Sequence, residues 1–158
     1  MPGRSICRCA VGLLLLIPAT LARPAAASDT CPPCEKAVRR ALTLLPRQPE
    51  RVVVVDMDAT TALLRARMSH TDAFVTTGLR VVYVRQQGRA LQDALKGDAF
   101  FDHVLAVIIW HEMAHLVGAD ERGAQQAEED LWQQFIVGRR VTPDRGMAYL
   151  GLLAKRRQ

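Results

Sequence analysis

Two histidines separated by three residues stand in an apolar stretch, residues 108–117, in the second half of the chain. They are His111 and His115, and Glu112 follows the first of them directly. On a helix, positions i and i+4 share one face, so both imidazoles can approach one metal ion. Zinc accepts nitrogen ligands of this kind and keeps an open position for water at catalytic sites. Glu112 can take a proton from that water, so the spacing predicts a zinc site with its own general base.

The stretch has the form H-E-x-x-H within a helix, and it resembles the active-site motif of the zincin class of zinc metallopeptidases. The resemblance implies that His111 and His115 hold Zn²⁺ and that Glu112 is the catalytic base. It also implies a short sheet against the motif helix, whose edge strand pairs with an extended peptide substrate. The alternative is a buried helix whose two histidines are only packed or hydrogen-bonded.

A catalytic zinc usually has three protein ligands, and two glutamates could supply the third. Glu121 fits by spacing, because the pattern continues as H-E-x-x-H-x-x-G-x-x-E through Gly118. This extension resembles the long metzincin motif, with Glu in place of its usual His or Asp. Glu128 fits by geometry, because on a helix that folds back along the motif helix it comes level with His111 and leans toward the metal. That arrangement is similar to the gluzincin site. This side-chain direction favours Glu128 as the third ligand, and Glu121 is the alternative.

Other side chains could support such a site without binding the metal. His103 lies two turns before His111, where a capping or supporting role, or that of a plain exposed histidine, is favoured over ligation. Asp120 or Asp130 could orient a ligand imidazole through its second ring nitrogen. The groups able to stabilise an oxyanion are Tyr149, Tyr83, His70 and Arg139, and the spacing favours none of them.

The elements that must position these residues follow the order helix, strands, helices. A helix is predicted from Glu35 and ends near Pro46, and β-branched runs predict strands at 51–56 and 78–85. A weaker strand is predicted at 61–69. The predicted helices that follow are 89–96, a motif helix capped by Asp98 and ended by Gly118, a helix at 121–137 capped by Asp120, and a last helix starting at Pro143. We therefore expect an α+β fold: a small, mostly antiparallel sheet packed on the motif helix, followed by a C-terminal helical hairpin.

The first 27 residues are typical of a secretory signal peptide, with Arg4 and Arg8 before an apolar run and three alanines before the expected cleavage site. A retained N-terminal anchor is the alternative. Cleavage would leave one domain, residues 28–158, exported to the periplasm or outside the cell and without a stable membrane span. Three of the 21 basic residues lie in this segment, which leaves 18 basic against 16 acidic residues. So small an excess of positive charge argues against a nucleic-acid partner.

The predicted mature chain has two cysteines, Cys31 and Cys34, at the start of its first helix. The C-x-x-C spacing at a helix start is similar to a thioredoxin redox site, but no strand leads into the first cysteine. An exported protein permits a disulfide between them. A structural disulfide or a pair of free thiols is therefore favoured over redox chemistry or metal binding.

The motifs together predict a small exported zinc-dependent metallopeptidase that acts on a peptide or protein. The small size of the chain keeps a second possibility open, a non-catalytic zinc-bound exported protein with a binding or envelope role. A third possibility is a phosphatase. The sequence Asp56-x-Asp58-x-Thr60, with the acids Asp98 and Asp102 downstream, resembles motifs of the haloacid-dehalogenase type. Such an enzyme places these motifs on strands of a parallel, doubly wound sheet, which the order of predicted elements does not provide.

Overall fold

The computed structural model describes residues 31–76 and 78–156. The predicted signal peptide, residues 1–27, lies outside the described residues. The helices are α1 (Pro32–Leu42), α2 (Ala62–Met68), α3 (Arg89–Ala94), α4 (Ala99–Leu116), α5 (Glu121–Val137) and α6 (Pro143–Arg156), and the strands are β1 (Arg51–Val55), β2 (Ala73–Val75) and β3 (Val81–Arg85). The α+β class and the predicted run of C-terminal helices are therefore confirmed.

The three strands form one mixed sheet in the order β1-β3-β2. β1 pairs with β3 in parallel, and β2 pairs with β3 in the antiparallel sense. The predicted sheet was mostly antiparallel, and the difference arises at β1. After β1 the chain passes through α2 and β2 before it returns as β3, and this crossover lets β1 and β3 run in the same direction. The central strand β3 buries Val82 and Val84 toward the helices.

The segment predicted as a weak second strand, residues 61–69, is instead helix α2, so that prediction was wrong. The hydroxyl of Thr61 caps the helix by accepting a hydrogen bond from the backbone N–H of Leu64 at 3.4 Å. The helix itself contains only Ala, Leu, Arg and Met, all of which favour helix. The apolar–polar alternation was too short to outweigh these local preferences. Strand β2, which follows α2, was not predicted from the sequence.

Helix α4, which carries the two histidines, forms the centre of the helical layer and packs against α1, α3, α5 and the sheet. Asp98 caps it as predicted, with a carboxylate oxygen 2.9 Å from the backbone N–H of Phe100. The buried Asp102 receives two hydrogen bonds from the guanidinium of Arg40, at 2.8 and 2.9 Å. Because Arg40 lies on α1, this pair fixes α1 against α4. The motif helix is thus held at its N-terminal end by partners outside itself.

The turn between α4 and α5 depends on Gly118, whose φ of +93° lies in the left-handed region that glycine adopts most easily. Asp120 then caps α5 as predicted, with its carboxylate 2.8 Å from the backbone N–H of Gly123. The turn is short, so α5 folds back along α4. The steps of three and four residues in α5 predict an inward stripe of Glu121, Ala124, Glu128, Leu131 and Phe135. The last four are buried, whereas Glu121 is 67 % exposed.

The sequence placed Trp132 outside the inward stripe of α5, but its side chain is fully buried. Helix α6 covers this side of α5. The indole of Trp132 packs on the ring of Tyr149, with ring centroids 4.2 Å apart, and its N–H donates to the carbonyl oxygen of Gly146 at 2.8 Å. The three C-terminal helices therefore form one packed unit, in which each successive pair is in contact.

At the start of α1, Cys31 and Cys34 form a disulfide, and Cys34 is buried in the core. This geometry agrees with the favoured structural interpretation of the cysteine pair. Within residues 31–76 and 78–156, no helix combines the length and the hydropathy that a membrane span requires.

Candidate metal centre

His111 and His115 lie one turn apart on the same face of α4, and their ring centroids are 5.0 Å apart. Both side chains are partly buried, with 13 % and 24 % of their surface exposed. The helix therefore brings the two imidazoles together as the i, i+4 spacing predicts. What the pair can bind depends on which nitrogen of each ring faces the cleft.

The hydrogen bonds around each ring determine the nitrogen that remains available. The Nδ1 atom of His115 lies 2.9 Å from the carbonyl oxygen of Ala119, which can only accept, so this Nδ1 carries the proton. The Nδ1 atom of His111 lies 3.1 Å from a carboxylate oxygen of Glu128 and donates to it in the same way. When the rings are neutral, Nε2 of each is then the atom with a free electron pair, as a metal ligand requires.

Glu121 faces these two free nitrogens. One of its carboxylate oxygens is 3.7 Å from Nε2 of His111, and the other is 3.5 Å from Nε2 of His115. One ligand atom from each of the three residues can be chosen so that all lie within 4.8 Å of one another. The side chain of Glu121 is 67 % exposed, so it can adjust its position at little cost. The short turn at Gly118 brings this first residue of α5 back beside the motif helix.

Glu128 meets His111 from the opposite side. Its carboxylate is 3 % exposed, and one oxygen accepts from Nδ1 of His111. The other oxygen accepts from the hydroxyl of Tyr149 at 2.9 Å. This contact agrees with the prediction that Glu128 comes level with His111. The structure adds that the contact is made with the ring nitrogen that points away from Glu121.

Three acceptor groups thus converge on one point: the Nε2 atoms of His111 and His115 and the carboxylate of Glu121. Acceptors facing each other at 3.5–3.7 Å repel unless a cation or a proton lies between them. The ligand atoms of a tetrahedral zinc with bonds of about 2.0–2.1 Å lie about 3.3 Å apart. The two distances to Glu121 approach this value, and the exposed Glu121 side chain can move to bring one oxygen into place. Nitrogen and carboxylate donors are also the set that zinc accepts. The residues present therefore fit a zinc ion.

Glu112 lines the same cleft as the three converging groups. The cleft has a volume of about 450 Å³, and its wall also includes His70, Asp72 and Gln125. Burial raises the pKa of the Glu112 carboxyl above its ordinary value, although the neighbouring His111 and His115 act in the opposite direction. A carboxylate with a raised pKa holds a proton more readily, which suits a group that must accept one.

The pKa of His111 in the metal-free protein is also shifted. Burial lowers it, but the hydrogen bond to Glu128 and the negative charges of Glu128, Glu112 and Glu121 outweigh burial and raise the pKa above its ordinary value. The negative potential that attracts a proton to this imidazole would also attract a metal cation. Proton and metal therefore compete for the same position.

Several side chains singled out from the sequence lie elsewhere. His103 is buried, and its Nδ1 donates to the carbonyl oxygen of Ala99 at 2.8 Å, a local helical contact. Asp120 caps α5, and Asp130 accepts from Gln126, so the carbonyl of Ala119 and the carboxylate of Glu128 orient the imidazoles instead. A backbone carbonyl leaves no signal in residue types, which is why this orienting contact was missed.

The four candidate oxyanion donors lie in different parts of the structure. His70 lines the metal cleft, whereas Tyr149 donates to Glu128 and Tyr83 stacks on Phe74 with ring centroids 4.8 Å apart. Arg139 lies in the connection between α5 and α6, at a φ of +56°. Of the four candidates, His70 is the one that lines this cleft.

The acids of the phosphatase-like motif have structural partners of their own. Asp56 accepts from the backbone N–H of Asp58 at 2.9 Å and from the side-chain amide of Gln87 at 2.7 Å, in the turn after β1. These hydrogen bonds hold the pKa of Asp56 below its ordinary value. Asp98 caps α4 and pairs with Arg145 at 2.7 Å, and Asp102 pairs with Arg40. None of these contacts depends on a phosphate or a magnesium ion.

A second cavity, of about 340 Å³, adjoins the metal cleft and shares Asp72 and Ile108 with it. Its wall is largely apolar, with side chains from α3, α4 and α6, and Tyr149 forms part of it. Arg145 lies at its edge, with its guanidinium 3.9 Å from the ring centroid of Phe100. The cleft therefore has an apolar space beside its charged centre.

Comparison of the chain with protein-family models, with curated proteins and with solved structures found no match.

Proposed function

We propose that this protein is a zinc-dependent hydrolase of peptide bonds, similar in mechanism to the zincins. The observation that carries the proposal is the convergence of two imidazole Nε2 atoms and the carboxylate of Glu121 on one point, with Glu112 in the same cleft. Four residues of the types and roles that this chemistry needs lie within eleven positions of the sequence. A buried pair of packed histidines would not require a carboxylate facing their free nitrogens.

We assign the third ligand position to Glu121 rather than to Glu128. Glu121 faces the free Nε2 atoms, whereas Glu128 accepts a hydrogen bond from Nδ1 of His111. One carboxylate oxygen of Glu128 is used by His111 and the other by Tyr149. This assignment follows the longer metzincin-like spacing. It gives Glu128 the task of holding the His111 ring in the tautomer that leaves Nε2 free.

A zinc ion at this site would polarise the scissile carbonyl and lower the pKa of a bound water. Glu112 accepts the proton of the attacking water and then delivers it to the nitrogen of the leaving amine. Its partial burial keeps it next to the reacting atoms and limits competition from bulk water. His70, which also lines the cleft, is the candidate donor to the oxygen on which negative charge develops.

The surroundings of the cleft support a peptide as the substrate. Strand β2 lies at an edge of the sheet, and both its first residue Ala73 and the preceding 70–72 segment line the cleft. An extended peptide that pairs with an edge strand would pass beside the motif helix. The adjoining apolar cavity has room for an apolar side chain of such a peptide. We therefore propose extended peptide segments with an apolar residue next to the cleaved bond.

The proposal is tested with the purified protein by measuring zinc content per chain and hydrolysis of a fluorescent peptide library. We expect one zinc per chain, and we expect hydrolysis to be abolished by a chelator and restored by zinc. Glu112→Gln should retain zinc while its rate falls by about 10²–10⁴-fold. Glu35→Gln, which removes an exposed glutamate of α1, is the matched control and should keep full activity.

Each unfavourable result identifies a different error. A protein that binds no stoichiometric zinc would refute the metal assignment. Zinc binding without hydrolysis of any peptide in the library would instead favour the non-catalytic zinc-bound protein. Hydrolysis that persists unchanged in Glu112→Gln would remove the proposed role of Glu112.

A further inference from the structure

We propose that Tyr149 is a positioning residue of the metal centre, which acts through Glu128 on the His111 imidazole. The inference rests on the proposed metal binding and extends the site from α4 and α5 to the last helix. The sequence treated Tyr149 only as one of several possible oxyanion donors. Its hydroxyl instead begins a chain of hydrogen bonds that ends at Nδ1 of His111, the ring nitrogen that does not face the metal position.

The chain connects three helices in two steps. The Tyr149 hydroxyl on α6 donates to one oxygen of Glu128 on α5 at 2.9 Å. The other oxygen of Glu128 accepts from Nδ1 of His111 on α4 at 3.1 Å. Glu128 is 3 % exposed and Tyr149 is 6 % exposed, so water has little access to either contact. Both oxygens of the buried Glu128 carboxylate therefore accept hydrogen bonds from donors on two other helices.

This arrangement constrains the direction in which His111 presents its metal-binding atom. With one oxygen held by Tyr149, the carboxylate cannot turn without breaking a buried hydrogen bond. The second oxygen then stays opposite Nδ1 of His111, so that this nitrogen keeps its proton and Nε2 keeps its electron pair. Partners that orient a ligand histidine in this way affect metal affinity by about 10–100-fold.

Tyr149 is itself held in place by packing against α5. Its ring packs on Trp132 with centroids 4.2 Å apart, and the Trp132 indole N–H donates to Gly146 of α6 at 2.8 Å. This packing therefore holds the Tyr149 hydroxyl in a fixed position. Tyr149 lines the adjoining apolar cavity, and its hydroxyl donates to Glu128. We therefore expect it to act on the metal through Glu128.

The first test measures the zinc dissociation constant of Tyr149→Phe by competition with a chromophoric chelator. We expect zinc binding to weaken by about tenfold, the lower end of the range for orienting partners, because Glu128 remains in place. The matched control is Tyr83→Phe, at the only other tyrosine, which stacks on Phe74 in the sheet. An unchanged dissociation constant in Tyr149→Phe would overturn the inference.

A second measurement separates positioning through Glu128 from a general packing effect. In a Glu128→Met background, the Tyr149→Phe change should have no further effect on zinc affinity, because the intermediate carboxylate is gone. An equal loss in both backgrounds would mean that Tyr149 only contributes packing. Melting curves of the four proteins verify that each is folded.

A third measurement needs neither zinc nor the Glu128 variant. At a pH high enough to keep the imidazole neutral, ¹⁵N NMR of the metal-free protein reports which nitrogen of His111 carries the proton. We expect Nδ1 to be protonated in the wild type and a mixture of the two tautomers in Tyr149→Phe. Identical spectra in the two proteins would overturn the inference. A wild type that binds no zinc would instead refute the proposed function, even where the NMR result supports the hydrogen-bond chain.

Discussion

Substitution of either glutamate near the histidines should reduce the stability that zinc confers, and the two substitutions should do so by different amounts. A ligand that binds only the folded protein, present at one hundred times its dissociation constant, stabilises the fold by about 2.7 kcal/mol. A domain of about 130 residues unfolds with an entropy of about 0.27 kcal/mol/K. Zinc at that concentration should therefore raise the melting temperature of the wild-type protein by about 10 °C.

Glu128→Gln should reduce this zinc-induced shift without removing it. Glu128 orients His111 through Nδ1, and loss of such a partner weakens metal binding by about 10–100-fold. At the same zinc concentration the stabilisation falls to about 1.4 kcal/mol for a tenfold loss and to about 0.4 kcal/mol for a hundredfold loss. The expected shift is about 5 °C in the first case and about 2 °C in the second.

Glu121→Gln should reduce the shift more than Glu128→Gln does, because it removes the anionic group that faces both free nitrogens. The assay is a thermal melt, followed by circular dichroism, of each variant with and without zinc. Glu35→Gln is the control and should keep the full shift. If Glu128→Gln abolishes the shift while Glu121→Gln keeps it, Glu128 is the ligand and our assignment is refuted.

Three further predictions concern pH, the turn and the disulfide. The raised pKa of His111, above its ordinary value of 6.5, stabilises the metal-free protein at low pH. This contribution should disappear as pH rises through the raised pKa, while the zinc-induced shift grows, and melts across this pH interval measure both. Gly118→Ala should cost about 1–2 kcal/mol in urea unfolding and weaken zinc binding. A Cβ there meets no atom within 4 Å, so the cost is backbone strain at φ +93° and a displaced Glu121. Gly151→Ala, at an uncrowded position of α6, should instead stabilise by about 0.5–1 kcal/mol. Reduction of the disulfide at the start of α1 should lower the free energy of unfolding by only about 2 kcal/mol, because the loop that it closes is short. Zinc affinity should stay unchanged.

Local signals in the sequence predicted the parts of the fold that depend on nearby residues. Asp98 and Asp120 cap their helices, and Gly118 ends α4, as their side chains and backbone preferences indicate. The β-branched runs became β1 and β3. Each of these features depends on interactions within a few residues. They could therefore be predicted without knowledge of the rest of the chain.

The features that the sequence did not predict depend on contacts between distant segments. The parallel pairing of β1 with β3 follows from the path of the chain through α2 and β2, which no local pattern records. The burial of Trp132 follows from the position of α6. Helix α2 is the exception, because its helix-favouring composition was present in the sequence and outweighs the weak alternation.

The candidate site shows the same division between local and distant contacts. The i, i+4 spacing was sufficient to bring His111 and His115 together. Hairpin geometry was sufficient to bring Glu128 level with His111, but periodicity does not determine which ring nitrogen a neighbour meets. That choice depends on the turn at Gly118, which carries Glu121 to the other side of the ring. Side-chain rotamers and turn geometry, rather than residue types, therefore decide which ring nitrogen each glutamate faces.

The most direct test of the central claim is anomalous X-ray diffraction at the zinc absorption edge from crystals of the zinc-loaded protein. We predict one strong peak within about 2.0–2.2 Å of Nε2 of His111, Nε2 of His115 and a carboxylate oxygen of Glu121. The carboxylate of Glu128 should remain on Nδ1 of His111. The absence of a peak at this point, or a peak bonded to Glu128 in place of Glu121, would contradict the account.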